Sequence, residues 1–143
     1  MTGKDDCNVL LNATLPFAEK MLLHHGEFFP FGAKMLDSGQ IVLVEGYDGR
    51  EHAPSQALID LLENALREAA SGLDMKACAI VYDSRVTLPG GQEKSDAIVV
   101  ALDHRADYSV EVFFPYTLKD EAVALGDAFS NVGRNRVFPC SSS

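Results

Sequence analysis

Five charged side chains fall on what reads as three consecutive strands: Asp83 and Arg85 on the first, Asp103 and His104 at the end of the second, and Glu111 on the third. Neighbouring strands lie about 5 Å apart, so carboxylates, an imidazole and a guanidinium at that spacing can act as an acid–base pair or form an oxygen-rich site for a metal or small ligand. Burial in an apolar sheet shifts the proton affinities of such groups, as at many functional sites. The competing reading is structural: Arg85 pairs with a carboxylate, while Asp103 and His104 leave the strand into solvent. No serine or cysteine has a base close in sequence. Metal-assisted hydrolysis therefore ranks ahead of nucleophilic catalysis, and no catalytic residue is assigned.

The remaining candidates are scattered. His24 and His25 are adjacent on a helix, so their side chains point about 100° apart, and a histidine just before Gly26 complements the negative helix end better than it ligates a metal. Glu51-His52 reads as a loop pair with no second ligand nearby. The loop over 88–95 carries Pro89-Gly90-Gly91 and Lys94 but lacks the phosphate-loop pattern and precedes a strand instead of opening a helix. Two aromatic clusters, Phe28-Phe29-Pro30-Phe31 and Phe113-Phe114-Pro115-Tyr116, can each send one ring inward and one outward. Phe28, Phe29, Phe31, Phe113 and Tyr116 thus form a candidate interaction patch.

These residues are positioned by a near-continuous β block. Residues 78–88 are rich in β-branched and aromatic side chains and end at Pro89-Gly90-Gly91, which gives a third strand. Residues 97–102 form an apolar fourth strand. A turn around Arg105-Ala106 leads into a fifth over 108–114, closed by Pro115. That turn sets Asp103 opposite Tyr108, Ala101 opposite Val110 and Val99 opposite Val112. The other face then carries Ile98, Val100, Leu102 and Phe113, with Glu111 as the exception. Both faces are mainly apolar, so cover on each side is expected, and helices are available for it.

Upstream, 28–36 and 40–46 read as a first hairpin around Asp37-Ser38-Gly39. Residues 54–70 repeat Leu58, Leu61, Leu62, Ala65, Leu66 and Ala69 at helical spacing. Residues 9–25 read as another helix, which Pro16 either starts, with Thr14 near its cap, or kinks, and which Gly26 ends. Residues 118–132 read as a last helix, interrupted by Gly126. The expectation is an α+β fold: a five-stranded antiparallel sheet flanked by helices in the order α-β-β-α-β-β-β-(α).

That order resembles the roadblock-type and wider profilin-like architectures, and the resemblance implies such a sheet lying between helices. The strings Glu27-Phe-Phe-Pro-Phe-Gly32, Tyr82-Asp-Ser-Arg-Val86, Lys94-Ser-Asp-Ala-Ile98 and Phe113-Phe-Pro-Tyr116 are also similar to a group of small single-domain bacterial proteins. No activity attaches to that group, so the likeness carries no catalytic residue, and fold alone supplies no function.

At 143 residues, 47% hydrophobic and 23% charged, the chain is expected to be one domain over 1–143, with 1–6 and 139–143 as loose ends. No apolar run reaches the roughly 18 residues of a membrane span, and the acidic N-terminus does not suit a signal peptide. A cytoplasmic location without membrane attachment is expected. Cys7, Cys78 and Cys140 are odd in number and lack metal-type spacing, with Cys78 expected as a core thiol. Twelve basic residues against 21 acidic ones give a formal net charge of −9, which repels a phosphate backbone and excludes nucleic acid as the expected partner.

No motif implies a cofactor. The expected function is a non-enzymatic protein-interaction or dimerisation module, acting as a homodimer or on a protein partner. The alternatives are a small-molecule- or metal-binding domain or hydrolytic enzyme using the central-strand charges, and an acidic inhibitor of a basic toxin.

Overall fold

The computed structural model describes residues 3–26, 28–45, 55–71, 75–106, 108–119, 122–133 and 137–138. Among these, two helices and seven strands follow in chain order: α1 (Gly3–His25), β1 (Phe31–Leu36), β2 (Ile41–Glu45), α2 (Ser55–Ser71), β3 (Met75–Thr87), β4 (Lys94–His104), β5 (Tyr108–Lys119), β6 (Ala122–Leu125) and β7 (Phe129–Val132). The strands lie in the order β2-β1-β3-β4-β5-β6, β7 also pairs with β5, and every pairing is antiparallel. This is an α+β chain on an antiparallel sheet, as the sequence predicts. Its described residues contain seven strands where five were expected.

Each sheet face meets one helix. Leu10, Ala18 and Leu22 of α1 pack with Phe31, Ala33, Met35, Ala79, Val81 and Val100, all buried. On the other face Leu62 and Leu66 of α2 pack with Cys78, Ile80 and Ala101. At Gly32 a Cβ would stand 3.2 Å from the Ala79 carbonyl oxygen, tighter than an ordinary contact, and 3.5–3.6 Å from Leu62 and Leu66 of α2, at ordinary contact. Each leucine buried in this way contributes roughly 1.5–3 kcal/mol relative to exposure.

The first helix begins earlier than 9–25. Residues 3–6 lie within α1, and Asp5 and Asp6 occupy its first turn, where carboxylates meet the positive end of the helix dipole. Pro16 lies inside the helix and neither starts it nor ends it. Thr14 is a buried helical residue whose hydroxyl donates to the Leu10 carbonyl at 2.9 Å, instead of a cap. The stop is as expected: Gly26 has φ 73° and its N–H donates to the Leu22 carbonyl at 2.8 Å. Gly39, at φ 94°, likewise makes the turn between β1 and β2.

Two expectations about β5 are corrected. Its register against β4 differs by one residue: His104 faces Tyr108, Ala101 faces Glu111 and Val99 faces Phe113. Such a slip moves every side chain of a strand to the other face. Val110, Val112 and Phe114 therefore join Ile98, Val100 and Leu102 beneath α1, while Glu111 and Phe113 lie on the α2 side. The strand also continues through Pro115. This residue makes the last pair with β4, opposite Ala97, where a missing donor ends a ladder without breaking one.

The expected helix over 118–132 is strand instead. Residues 116–119 pair with β6, from Tyr116 opposite Leu125 to Lys119 opposite Ala122. Residues 110–113 pair with β7, from Val110 opposite Val132 to Phe113 opposite Phe129. The two ladders differ by one residue in register, so β6 and β7 form one return strand interrupted opposite Phe114 and Pro115. At the interruption the Gly126 N–H donates to the Pro115 carbonyl at 2.7 Å. The apolar residues that looked helical, Leu118, Val123 and Leu125, instead share one face of a two-stranded arm with Tyr116.

After β7 the chain hugs β5. The Gly133 N–H donates to the Ser109 carbonyl at 3.1 Å, and a Cβ at this position would stand 2.6 Å from the Ser109 carbonyl carbon and from the Val110 nitrogen. Backbone cannot yield as a flexible side chain can. Gly133→Ala is therefore expected to destabilise the fold by roughly 1–3 kcal/mol. Equilibrium urea unfolding checks this, against Gly91→Ala, where the nearest atom stands 3.8 Å away, as the neutral control.

Candidate functional site

Asp103 and His104 are consecutive on β4, so their side chains leave opposite faces of the sheet. On the α1 side, His104 Nε2 lies 2.8 Å from Asp6 Oδ2, and the Ala106 N–H donates to His104 Nδ1 at 3.0 Å. Because Nδ1 accepts, the ring proton sits on Nε2 and is donated to the carboxylate. Lys76 Nζ stands 3.5 Å from the other Asp6 oxygen, and Gly3 lies over the imidazole. Asp6 and His104 are both buried. With both ring nitrogens engaged in the fold, His104 has no lone pair to offer a substrate as general base.

On the α2 side, Asp103 is also buried. Its Oδ1 accepts from the Ser109 hydroxyl at 2.7 Å and its Oδ2 from the Val137 N–H at 2.7 Å. Asp103 and His104 do not leave the sheet into solvent: one ties down the segment after β7 and the other the first turn of α1.

The thiols nearby are unreactive for a physical reason. Burial, reinforced by the carboxylates of Asp103 and Asp6, pushes the Cys7 thiol from 9.0 up to about 12. Burial does the same to Cys78, again with Asp103 adding to it and with Cys7 as a further contribution. Both cysteines are free and buried, and Cys78 is the core thiol expected of it. Thiols held protonated are poor nucleophiles.

The other charged candidates lie elsewhere. Asp83 shares a face with His104, but six residues of β3 separate it from Ala77, the residue opposite His104, a span of roughly 20 Å at 3.3 Å per residue. Arg85 pairs across strands with Asp96, Nη1 to Oδ1 at 3.3 Å, with both side chains more than half exposed. Glu111 is buried on the α2 side, opposite Ala101. The five candidates thus form no single site. Asp83 and Arg85 go together, His104 belongs with Asp6, and Asp103 and Glu111 lie on the reverse face. Among the described residues no three His, Cys, Asp or Glu side chains converge as metal ligands.

The aromatic patch also separates. Phe28, Phe31 and Tyr116 are buried, with Phe31 edge-on to Phe17 at 5.0 Å and to Phe28 at 6.0 Å. Phe113 is half-buried and stacks on Phe129 at 4.9 Å on the opposite face. Phe29 alone of the five is exposed. His24 and His25 end α1, both exposed, with ring centroids 6.4 Å apart. Glu51, His52 and the tail from Pro139 lie outside the described residues.

Asp83, Arg85 and Asp96 line a concave feature. Where α1 stops at Gly26, β3, β4 and β5 run on, and their α1-side face opens into a cleft of about 580 Å³ bounded by Gly26, Asp83, Arg85, Asp96, Tyr116 and Leu118. Tyr116 Oη donates to Asp83, 2.9 Å from each carboxylate oxygen. Burial holds the Tyr116 hydroxyl protonated well above the usual range, helped by that hydrogen bond and by the charges of Asp83 and Asp96. Tyr116 is therefore a fixed donor that orients Asp83. The hairpin at the rim is closed by Gly90, at φ 77°, and by the Leu88 N–H donating to the Glu93 carbonyl at 2.8 Å.

Sequence reasoning passed over Asp96, although it faces Arg85 directly. The signal was the length of the 88–93 connection, which fixes the β3–β4 register. Asp6 and Lys76 gave no signal, because their partners lie far away in sequence. No family model, no curated protein and no solved structure matches this chain. Its class is therefore given by its own architecture, two helices on an antiparallel sheet, and no described helix is long and apolar enough to cross a membrane.

The raised thiols fix a pH dependence. A group whose pKa is higher in the folded chain than in the unfolded chain stabilises the fold fully below its unfolded value and loses that contribution as pH climbs to its folded value. For Cys7 this window runs from 9.0 to about 12. The urea midpoint is expected to fall between about pH 9 and about pH 12, the bounds of that window, and to fall less in Cys7→Ala, a difference read by paired unfolding curves at the two pH values.

Proposed function

We propose that this chain is a non-enzymatic binding module whose contact surface is the cleft beyond the end of α1. The observation that carries this reading is a contrast in how charged groups are held. Asp6, Asp103 and His104 are buried and bonded to distant parts of the chain, so releasing them for chemistry would loosen the fold. Arg85 and Asp96 form a single exposed contact, of the kind worth about 0–1 kcal/mol, which a ligand can replace at small cost. Between them and the oriented Asp83 carboxylate lies room for a small polar molecule.

Backbone amide NMR against a panel of small charged fragments tests the reading. The largest shifts are expected at Asp83, Arg85, Asp96 and Tyr116. The double variant Arg85→Ala, Asp96→Asn is expected to weaken binding by about tenfold or more while leaving stability within about 0.5 kcal/mol. Fragments that perturb Asp6 and His104 and leave the cleft unmoved would overturn it, as would turnover of any fragment that survives the double substitution.

A protein partner or a second copy of the chain is the second reading, and the outer strand favours it. Val132 is 88% exposed and Leu125 39% exposed on neighbouring parts of the β6–β7 edge. Against it stand the shortness of both edge strands and the break between them, devices that blunt strand addition. Native mass spectrometry separates the readings. A species at twice 15.5 kDa that Val132→Asp returns to the single mass would favour self-association, whereas a single mass throughout is expected if the cleft is the working surface.

A further inference from the structure

The first helix covers its sheet face unevenly. α1 packs mainly on β3 and β4 and only at its margin on β5. A row across three strands shows the consequence. Leu102 of β4, Val110 of β5 and Val132 of β7 are cross-strand neighbours on the α1 side, and they pass from fully buried through half-buried to 88% exposed. Between α1 and β5 this leaves a trough of about 290 Å³ whose floor is Leu102, Val110 and Val112, with Ser130 of β7 on its far bank. Lys4, Asn8 and Leu11 form the helix wall, at a spacing that puts them on one face of α1. From Lys4 to Leu11 that wall runs about 10 Å at 1.5 Å per residue. Gly3 lies against Tyr108, so the Lys4 end of the wall meets the start of β5.

We propose that this trough, separate from the cleft beyond the end of α1, binds a free medium-chain fatty acid. The carboxylate meets the Lys4 ammonium, with the Asn8 amide one turn along the helix as a further donor. The acyl chain lies over Val110, Leu102 and Val112 towards Leu11, and covers apolar surface that the fold leaves half in water. The start of α1, the positive end of its dipole, lies at the same end as Lys4 and adds to the attraction for an anion.

Charge and polarity of the lining select this class. Among the described residues that line the trough, Lys4 is the only charged one, so a cation finds no carboxylate there. Asp6 is turned to His104 and Lys76, and Asp5, although next to Lys4 in the chain, does not line the trough. Cys7 lines it as a buried thiol that stays protonated and adds no charge. A single ammonium matches a single negative charge, and the valine and leucine floor offers a sugar or nucleotide no hydrogen bonds. The head contact is exposed, so binding is expected to weaken as ionic strength rises.

The test is NMR titration of the intact chain, below micelle-forming concentrations, with octanoate, octanamide, octylamine and butyrate. Octanoate is expected to shift resonances of Lys4, Leu11, Val110 and Val112 saturably, and to bind about three- to tenfold more tightly than octanamide, which has the same chain and a neutral head. Butyrate, with the same head and a shorter chain, is expected to bind about tenfold or more weakly than octanoate. Lys4→Gln is expected to bring octanoate down to the level of octanamide, and Lys4→Glu to make octylamine the better ligand. Lys4 is exposed, and an unchanged pattern of dispersed amide resonances confirms that both variants are folded. If octanamide and octylamine bind the trough as well as octanoate does, the fatty-acid inference is overturned. It is overturned too if the octanoate shifts centre on Arg85 and Asp96, a result that would support the cleft instead, or spread equally over the exposed Leu23, Phe29 and Leu43. If octanoate perturbs nothing, this inference fails alone, because the charged-fragment panel tests the cleft separately.

Discussion

The fold depends most on the end of β4. Asp103 and His104 are neighbours in sequence, yet they reach the first turn of α1 on one face and the segment after β7 on the other. Both ends of the described chain are thereby tied to one point of the central sheet. Such contacts are costly to leave half-made. A buried carboxylate stripped of its donors loses about 1–3 kcal/mol per unsatisfied group, more where charge is involved. These two residues were the natural candidates for chemistry because they are ionisable and stand on a central strand. In the folded chain they are occupied.

The same constraint explains the electrostatics around them. Placing Asp6 and Asp103 near Cys7 raises the proton affinity of a thiol that burial already disfavours as an anion. A catalytic cysteine needs the reverse, a positive neighbour and access to solvent. Lys76 is the cation that stands beside Asp6, and it is spent on that carboxylate. In this polar cluster Lys76 offsets the charge of Asp6, while Asp103 is held by uncharged donors, the Ser109 hydroxyl and the Val137 N–H. The cleft at the other end offers the contrasting case, in which Arg85 and Asp96 meet in solvent and only Asp83 is held rigidly, by Tyr116.

Much of the architecture was legible because local patterns carried it. The 3.6-residue spacing of Leu58, Leu62 and Leu66, the positive-φ turns at Gly26 and Gly39, and the β-branched runs of β3 and β4 all state their structure within a few residues. What failed was whatever depended on register or on distant partners. A turn longer by one residue moved Glu111 and Phe113 to the other face, away from the remaining members of the expected aromatic patch. Pro115 looked like a terminator because a missing donor usually is one, but here it coincides with the place where β5 leaves β4 for β6. The stretch after it mimicked a helix because Leu118, Val123 and Leu125 meet across two strands, a pairing that spacing along one chain cannot reveal. For the candidate site, Asp83 and Arg85 were visible as charges on a strand. Asp6 was not, since only the packing of α1 brings it to His104.

The location of the cleft follows from these elements and not from any sequence motif. Gly26 ends α1 by adopting a backbone conformation that most residues avoid, and it does so while three strands continue beneath. A sheet face left by its helix must either be covered by other chain or become polar, since exposed apolar strands invite association. Here the change occurs within one strand: Val81 is fully buried under α1, Asp83 is half-buried at the boundary, and Arg85 is exposed. The strand thus passes from core to solvent in steps of two residues, with Asp83 at the step where a buried tyrosine orients a charge. The boundary between a charge held in place and a charge in solvent arises where the helix ends.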